Sequence, residues 1–364
     1  MNLLNSDTLV SIFIPAYNNP EYTRKTLLSI IQQTYRPLEV ILLDDCSPVS
    51  LEPLFHEIKK LFENDSKIEF KFIRNKINLN HDNHMLGFDI SKGKYVMNMP
   101  HDDWFVCDTF VEEAVEIMEK NTDCFLCAAN SLIEFTNIQV IKLPDEILNP
   151  LDWNIINGGE YISMLGDWGI GCQAWSGLIF NREVAANLGT YHPPYSVSTQ
   201  LSKELNILPD EFFAFQFLLS SIGNIALTEK VVSIRGNPKS SFVNSKKKQW
   251  AKSIGFTAFV IFYNLYTSNL NGKHAAIVKK EAYKRIFHYP VKKINFRILK
   301  YYNFTFNSIY TMIISFFFGI IKSIYDFRKK LAYINDLFII VLKVIFKKEV
   351  RIFYFKKYNL WAKK

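Results

Sequence analysis

Over the first hundred residues, short apolar runs alternate with stretches whose apolar positions recur every three or four residues. Residues 9–14 (LVSIFI) carry no charge and end at Pro15, which predicts a buried strand. Residues 20–34 open with Pro20 and place Leu27, Leu28, Ile30 and Ile31 at helical spacing, with acid before base, which predicts a helix. LEVILL (38–43) predicts a second strand, ending at Asp44 and Asp45. A helical pattern over 51–62, a strand over 68–73 (IEFKFI), a helix over 80–91 and a fourth strand over 94–99 (KYVMNM) follow. Strands alternating with helices at this spacing predict crossover units and a mainly parallel α/β sheet.

In such sheets ligands bind beyond the carboxyl ends of the strands. Three strands end in polar, chemically useful residues: Ala16-Tyr17-Asn18-Asn19, Asp44-Asp45, and His101-Asp102-Asp103. All three sets are expected on one rim. Adjacent carboxylates repel and are costly unless they face water or hold a cation. Their convergence with the other two sets favours the cation.

Composition then bounds the rest. The chain has 364 residues, 49% hydrophobic and 15% aromatic, enough for one large domain or two ordinary ones. Of the five cysteines, Cys124 and Cys127 form a CxxC with neither a second CxxC nor a histidine pair to complete a zinc site. With Cys46, Cys107 and Cys172 they read as free thiols of a reduced, cytosolic protein. The start has no basic n-region and a short apolar run, so no signal peptide is expected. The net charge of +8 hides a split: residues 1–241 hold 18 Lys+Arg against 31 Asp+Glu, and residues 242–364 hold 25 against 4. That asymmetry predicts two parts with different partners.

VSIFIPAYNNPEYTRKTLLSIIQQTYRPLEVILLDDCS places Pro15, Tyr17, Asn18, Gln32, Gln33, Asp44, Asp45 and Ser47 in order. NKINLNHDN adds Asn75 and Asn83, and SKGKYVMNMPHDDW leads into the aspartate pair. Over roughly residues 8–240 this resembles the inverting family-2 glycosyltransferases of the GT-A fold. The resemblance implies a Rossmann-like nucleotide-diphospho-sugar transferase domain over 1–241, a hexosyltransferase class of activity, and a divalent metal, Mn2+ or Mg2+. The chain departs from the family pattern at Pro100, where the metal motif commonly begins with an aspartate. It departs again at Ile77 and Asp82, in place of a glycine and an arginine.

Sugar transfer from a nucleotide diphosphate requires a neutralised leaving diphosphate, a deprotonated acceptor hydroxyl and a held nucleotide. By resemblance, Asp103 is expected as the direct metal ligand, with Asp102 on the ribose or a metal-bound water. Asp45 is expected to accept a hydrogen bond from the nucleotide base, and Tyr17 to stack on it. Pro15, Asn18 and Asn83 belong to the same nucleotide-sugar-binding set. In LPDEFFAFQFLLS (208–220), an acidic pair opens an apolar helix; Asp210 or Glu211 is the expected base, with Asp210 preferred because it precedes the helix. The reverse reading of that pair is helix capping. GDWGIGCQAWSGLIFNRE (166–183) resembles the acceptor-side segment, with Trp168 or Trp175 stacking on a sugar and Gly177 admitting the backbone. In SIRGNPKSSF (233–242), Arg235 and Lys239 are expected on phosphate oxygens, and Asn237 stands where the family often has a metal-binding histidine. His101 is expected to line the site; His81 and His84 read as surface or helix residues.

Residues 242–364 are basic and aromatic, with apolar runs at 309–321 and 337–346 that fall short of the about 20 residues a spanning helix needs. This predicts a helical extension lying on an anionic membrane surface at the cytoplasmic face. Packing on the catalytic domain or on a second subunit is the other use open to it. Nucleic-acid binding is not expected, since no RNA motif is present. The combined expectation is transfer from a nucleotide sugar, UDP-linked by preference, to a glycan or lipid-linked glycan in surface polysaccharide synthesis. Two alternatives stand beside it. One is an inactive membrane-bound scaffold of the same fold. The other is a sugar-phosphate nucleotidyltransferase, which would need a glycine-rich loop where IPAYNNPEY has none.

Overall fold

The computed structural model describes residues 7–79, 82–133, 151–165, 174–188, 216 and 219–236. The chain divides into two units, Met1–Ile286 and Phe287–Lys364, and every described residue lies in the first. The basic extension from 242 onward lies outside the described residues.

The first strand, β1 (Val10–Ala16), is buried along its whole length. A run of Val, Ile and Phe without charge suits a strand covered on both faces. Pro20 then opens α1 (Pro20–Ile31), where its fixed φ and missing N–H cost nothing. β2 (Leu38–Asp44) is also wholly buried, and α2 (Glu52–Leu61), β3 (Ile68–Arg74), α3 (Asp82–Ile90) and β4 (Tyr95–Asn98) complete the expected alternation. Observed ends differ from the expected ones by no more than three residues.

A second series follows: β5 (Asp103–Phe105), α4 (Phe110–Lys120), β6 (Cys124–Ile133), β7 (Asn154–Asn157), α5 (Gly158–Leu165), a 3-10 turn (Trp175–Gly177), β8 (Leu178–Asn181), α6 (Arg182–Asn187) and β9 (Asn224–Arg235). Among the described residues the strands form one sheet in the order β3-β2-β1-β4-β8-β6-β9-β5, with β7 also paired to β9. The first four strands in that order are mutually parallel, as their crossover helices require. Beyond them, β8 runs antiparallel to β4 and β6, and β5 and β7 run antiparallel to β9, while β9 is parallel to β6. The sheet is therefore parallel in its first half and mixed in its second.

The alternation along β1 separates two cores. Val10, Ile12 and Ile14 pack with Leu27 and Ile30 of α1, Phe55 of α2 and Phe110 of α4. Phe13 packs instead with Ile41 and Leu43 of β2, Phe88 of α3, Tyr161 of α5 and Ala185 of α6. Helices thus cover both faces. From β1 the chain moves outward to β2 and β3, then returns to β4 on the other side of β1. The crevice at the carboxyl ends of β1 and β4 is where strand order reverses, and a ligand site is expected there. Among the described residues no helix is long and apolar enough to cross a membrane.

Candidate active site

The turn after β1 is set by two asparagines in the left-handed region, Asn18 (φ 60°) and Asn19 (φ 54°), a conformation asparagine tolerates better than most side chains. The Asn18 N–H donates to Ser47 Oγ at 2.8 Å, tying the β1 turn to the β2 turn. Tyr17 stands on this turn, 45% exposed, where its ring is open to a flat ligand.

The two aspartates ending β2 divide their work. Asp44 is fully buried and accepts from the Ser47 N–H at 2.8 Å, the Leu51 N–H at 3.1 Å and Arg74 Nη1 at 3.1 Å. It therefore folds the 45–51 loop. Asp45 turns the other way, and its Oδ1 accepts from Asn75 Nδ2 at 2.9 Å and from the Leu79 N–H at 2.7 Å. Asn75 also donates to Asn83 Oδ1 at 2.9 Å, and Asn83 donates to the Leu43 carbonyl at 3.2 Å. Asn83, read from the sequence as part of the nucleotide set, thus braces Asp45 through Asn75.

β4 leads into His101, Asp102 and Asp103. Thr26 of α1 reaches across with its hydroxyl 2.8 Å from the His101 carbonyl and 2.6 Å from the Asp103 carbonyl. Burial holds His101 below the usual histidine range; the Asp102 charge and the Pro15 carbonyl act against this. Its Nε2 is buried and has no hydrogen-bond partner among the described residues.

Asp103 begins β5 opposite Arg235 of β9. Only 3% of it is exposed. Its Oδ2 accepts from the Ser176 hydroxyl at 2.7 Å. Burial and the neighbouring Asp102 charge push its carboxyl up to about 7, against the pull of Ser176, Arg235 and the Gly236 N–H. Asp102 is the less buried of the pair. Asp103, expected as the metal ligand, is thus buried with one carboxylate oxygen already taken, and Asp102, expected on the ribose or a metal-bound water, is the more exposed of the two. Gly236 donates its N–H to the Asp102 carbonyl at 2.7 Å, and a Cβ at Gly236 would lie 2.1 Å from that oxygen. Glycine is required there by close approach, not by backbone sign.

Of the acceptor-side residues, Trp175 is half-buried against the second core, and Gly177 is buried with its N–H on the Ala174 carbonyl at 3.1 Å. His84 pairs with Asn98 at 2.8 Å, as a helix residue facing the sheet. Trp168, Asp210, Glu211, Asn237, Lys239 and His81 lie outside the described residues. Sequence reasoning passed over Thr26, Ser176, Ser233 and Gly236. The serine between Trp175 and Gly177 and the glycine after Arg235 were the signals available for two of them.

Among the described residues no cluster of three or more His, Cys, Asp or Glu is poised to hold a metal ion. Two adjacent carboxylates nonetheless follow β4, the inner one pushed up by burial and then by the charge of the other. An all-oxygen donor pair of this kind suits a hard divalent cation that takes its remaining ligands from phosphate and water.

Residues 11–189 match the family described as "Glycosyl transferase family 2". Among curated proteins, the chain is 28% identical over 260 residues to an uncharacterized glycosyltransferase of Haemophilus influenzae, covering 68% of this chain and 72% of that protein. It is 29% identical over 205 residues to WfaP of Escherichia coli, named as a UDP-Glc:alpha-D-GlcNAc-diphosphoundecaprenol beta-1,3-glucosyltransferase, covering 55% of this chain and 70% of that one. Among solved structures, TarS of S. aureus superposes with a TM-score of 0.50 at 14% identity, over 81% of this chain and 46% of TarS. That likeness is one of fold, and the chain spans less than half of that protein's length.

Proposed function

We propose, from the premise that this chain is a glycosyltransferase of family 2 with a GT-A fold, that it moves a sugar from a nucleoside diphosphate sugar to a glycan acceptor with inversion at the anomeric carbon. One observation carries the reading. The braced Asp45, the open Tyr17 ring and the Asp102-Asp103 pair meet on one rim, at the ends of β1, β2 and β4. In this reading Tyr17 stacks on the base and Asp45 accepts from the base edge. Asp102 would hold a divalent cation, supported by the charge of the adjacent Asp103, with Arg235 opposite Asp103 on β9. When bound, the cation neutralises charge on the leaving diphosphate. Asp210 or Glu211 takes the proton of the acceptor hydroxyl. A single displacement with one base gives inversion.

A UDP-linked donor and a lipid-linked acceptor are the finer part of the proposal. The name of WfaP, which pairs a UDP sugar with a diphosphoundecaprenol acceptor, supports both. The basic extension, with 25 Lys+Arg against 4 Asp+Glu, would place the domain at an anionic cytoplasmic membrane face, where such an acceptor resides.

Isothermal titration of UDP into the full chain tests the reading. UDP is expected to bind with Mn2+ present and to lose at least about tenfold in affinity with EDTA or in Asp102→Asn, as expected when outer or direct metal partners are removed. Absence of binding by UDP, GDP, CDP and dTDP alike, with metal present, would sink it.

A further inference from the structure

Between Trp175 and Gly177, Ser176 is wholly buried, and its hydroxyl donates to Asp103 Oδ2 at 2.7 Å. Its lone pair is filled in turn by the Ser233 hydroxyl at 3.0 Å. Ser131 lies 2.6 Å from Ser233 and, with the Ser233 proton given to Ser176, is the donor of that pair. Three hydroxyls therefore run in line from β6, through β9 and the 3-10 turn, to the carboxylate on β5. Hydroxyls in series polarise one another, and here the polarisation ends on Asp103.

We propose that Ser176 is a positioning residue of the cation site. It fastens the Asp103 carboxylate inward, so that Asp102 alone is presented at the rim and the Asp103 charge stands behind it. Without the hydroxyl, Asp103 is free to turn toward the rim and compete with Asp102 for one position. The same turn carries Trp175, so the acceptor-side segment and the carboxylate pair are joined by one side-chain hydrogen bond. This inference rests on the reading of the site as one that binds a nucleoside diphosphate with a divalent cation.

The test is Mn2+ uptake by the full chain, followed by loss of the free-ion EPR signal with UDP present, alongside thermal melting without metal. Ser176→Ala is expected to need about tenfold more Mn2+ or greater for half-saturation, the range found when outer partners of metal ligands are removed. Ser176→Thr, which keeps the hydroxyl, is expected within about threefold of the unmodified chain, on the same scale. A purely structural role would move the melting temperature and leave the Mn2+ requirement alone. Unchanged Mn2+ uptake in Ser176→Ala overturns the proposal, as does a threonine no better than the alanine. Should Ser176→Ala fail to fold, Ser233→Ala decides, because it removes the donor behind Ser176: a raised Mn2+ requirement supports the role and an unchanged one overturns it. If the unmodified chain takes up no Mn2+ with UDP, GDP, CDP or dTDP, the nucleotide reading itself falls, a result visible before any variant is made.

Discussion

Asp103 concentrates the electrostatic cost of the rim in one side chain. Its carboxyl stands at about 7 in the folded chain against an ordinary 3.8. Between those values the folded state holds a proton that the unfolded state releases. Metal-free stability should therefore be greatest below about pH 4 as far as this group is concerned, and should fall as pH rises through about 7. Asp103→Asn should flatten that part of the profile in urea unfolding at several pH values; a profile identical to that of the unmodified chain would contradict it. At this scale the sequence displayed the carboxylate pair, because two adjacent like charges at a strand end are conspicuous. It did not display which of the two turns inward. That is decided by Ser176, 73 positions further along, and by β9, whose arrival beside β5 follows from the sheet order.

Through residue 99 the strands and helices were legible; beyond it even the long α4 (Phe110–Lys120) and β9 (Asn224–Arg235) were not read. β1 to β4 and the helices between them announce themselves by alternating apolar runs. β5 has three residues and β7 and β8 have four each, and none of them continues the regular strand–helix alternation that made the equally short β4 legible. β6 was read only as a CxxC motif; a register shift between Cys124 and Leu126 breaks its alternation, and both thiols face the first core. The pairing of β5 with β9 has a consequence for Gly236. Any side chain there meets the Asp102 carbonyl, so the end of β9 must move or the aspartate must. Gly236→Ala is expected to cost about 1–3 kcal/mol of stability by overpacking and to weaken UDP binding in the same titration. An alanine variant with undiminished UDP affinity would show that the β9 end does not hold Asp102 in place.

At the scale of the whole molecule, charge is divided along the chain: residues 1–241 sum to −13 and residues 242–364 to +21. Each basic side chain near an anionic surface contributes about 1 kcal/mol, within a screening length that shortens with salt. The full chain should sediment with phosphatidylglycerol vesicles at low salt and be released at high salt. Equal sedimentation with phosphatidylcholine vesicles would argue against the electrostatic part of the membrane reading. The two rim loops are also joined by something stiffer than a loop. α1 begins at the Asn19 turn beside Tyr17, and from its middle Thr26 reaches the His101 and Asp103 carbonyls. One helix thus sets the span between the place read as the base pocket and the place read as the cation pocket. The site behaves as a ruler cut to a fixed length, and a nucleotide one phosphate too short cannot touch both marks: UMP should bind far more weakly than UDP in the presence of Mn2+, whatever sugar the enzyme carries.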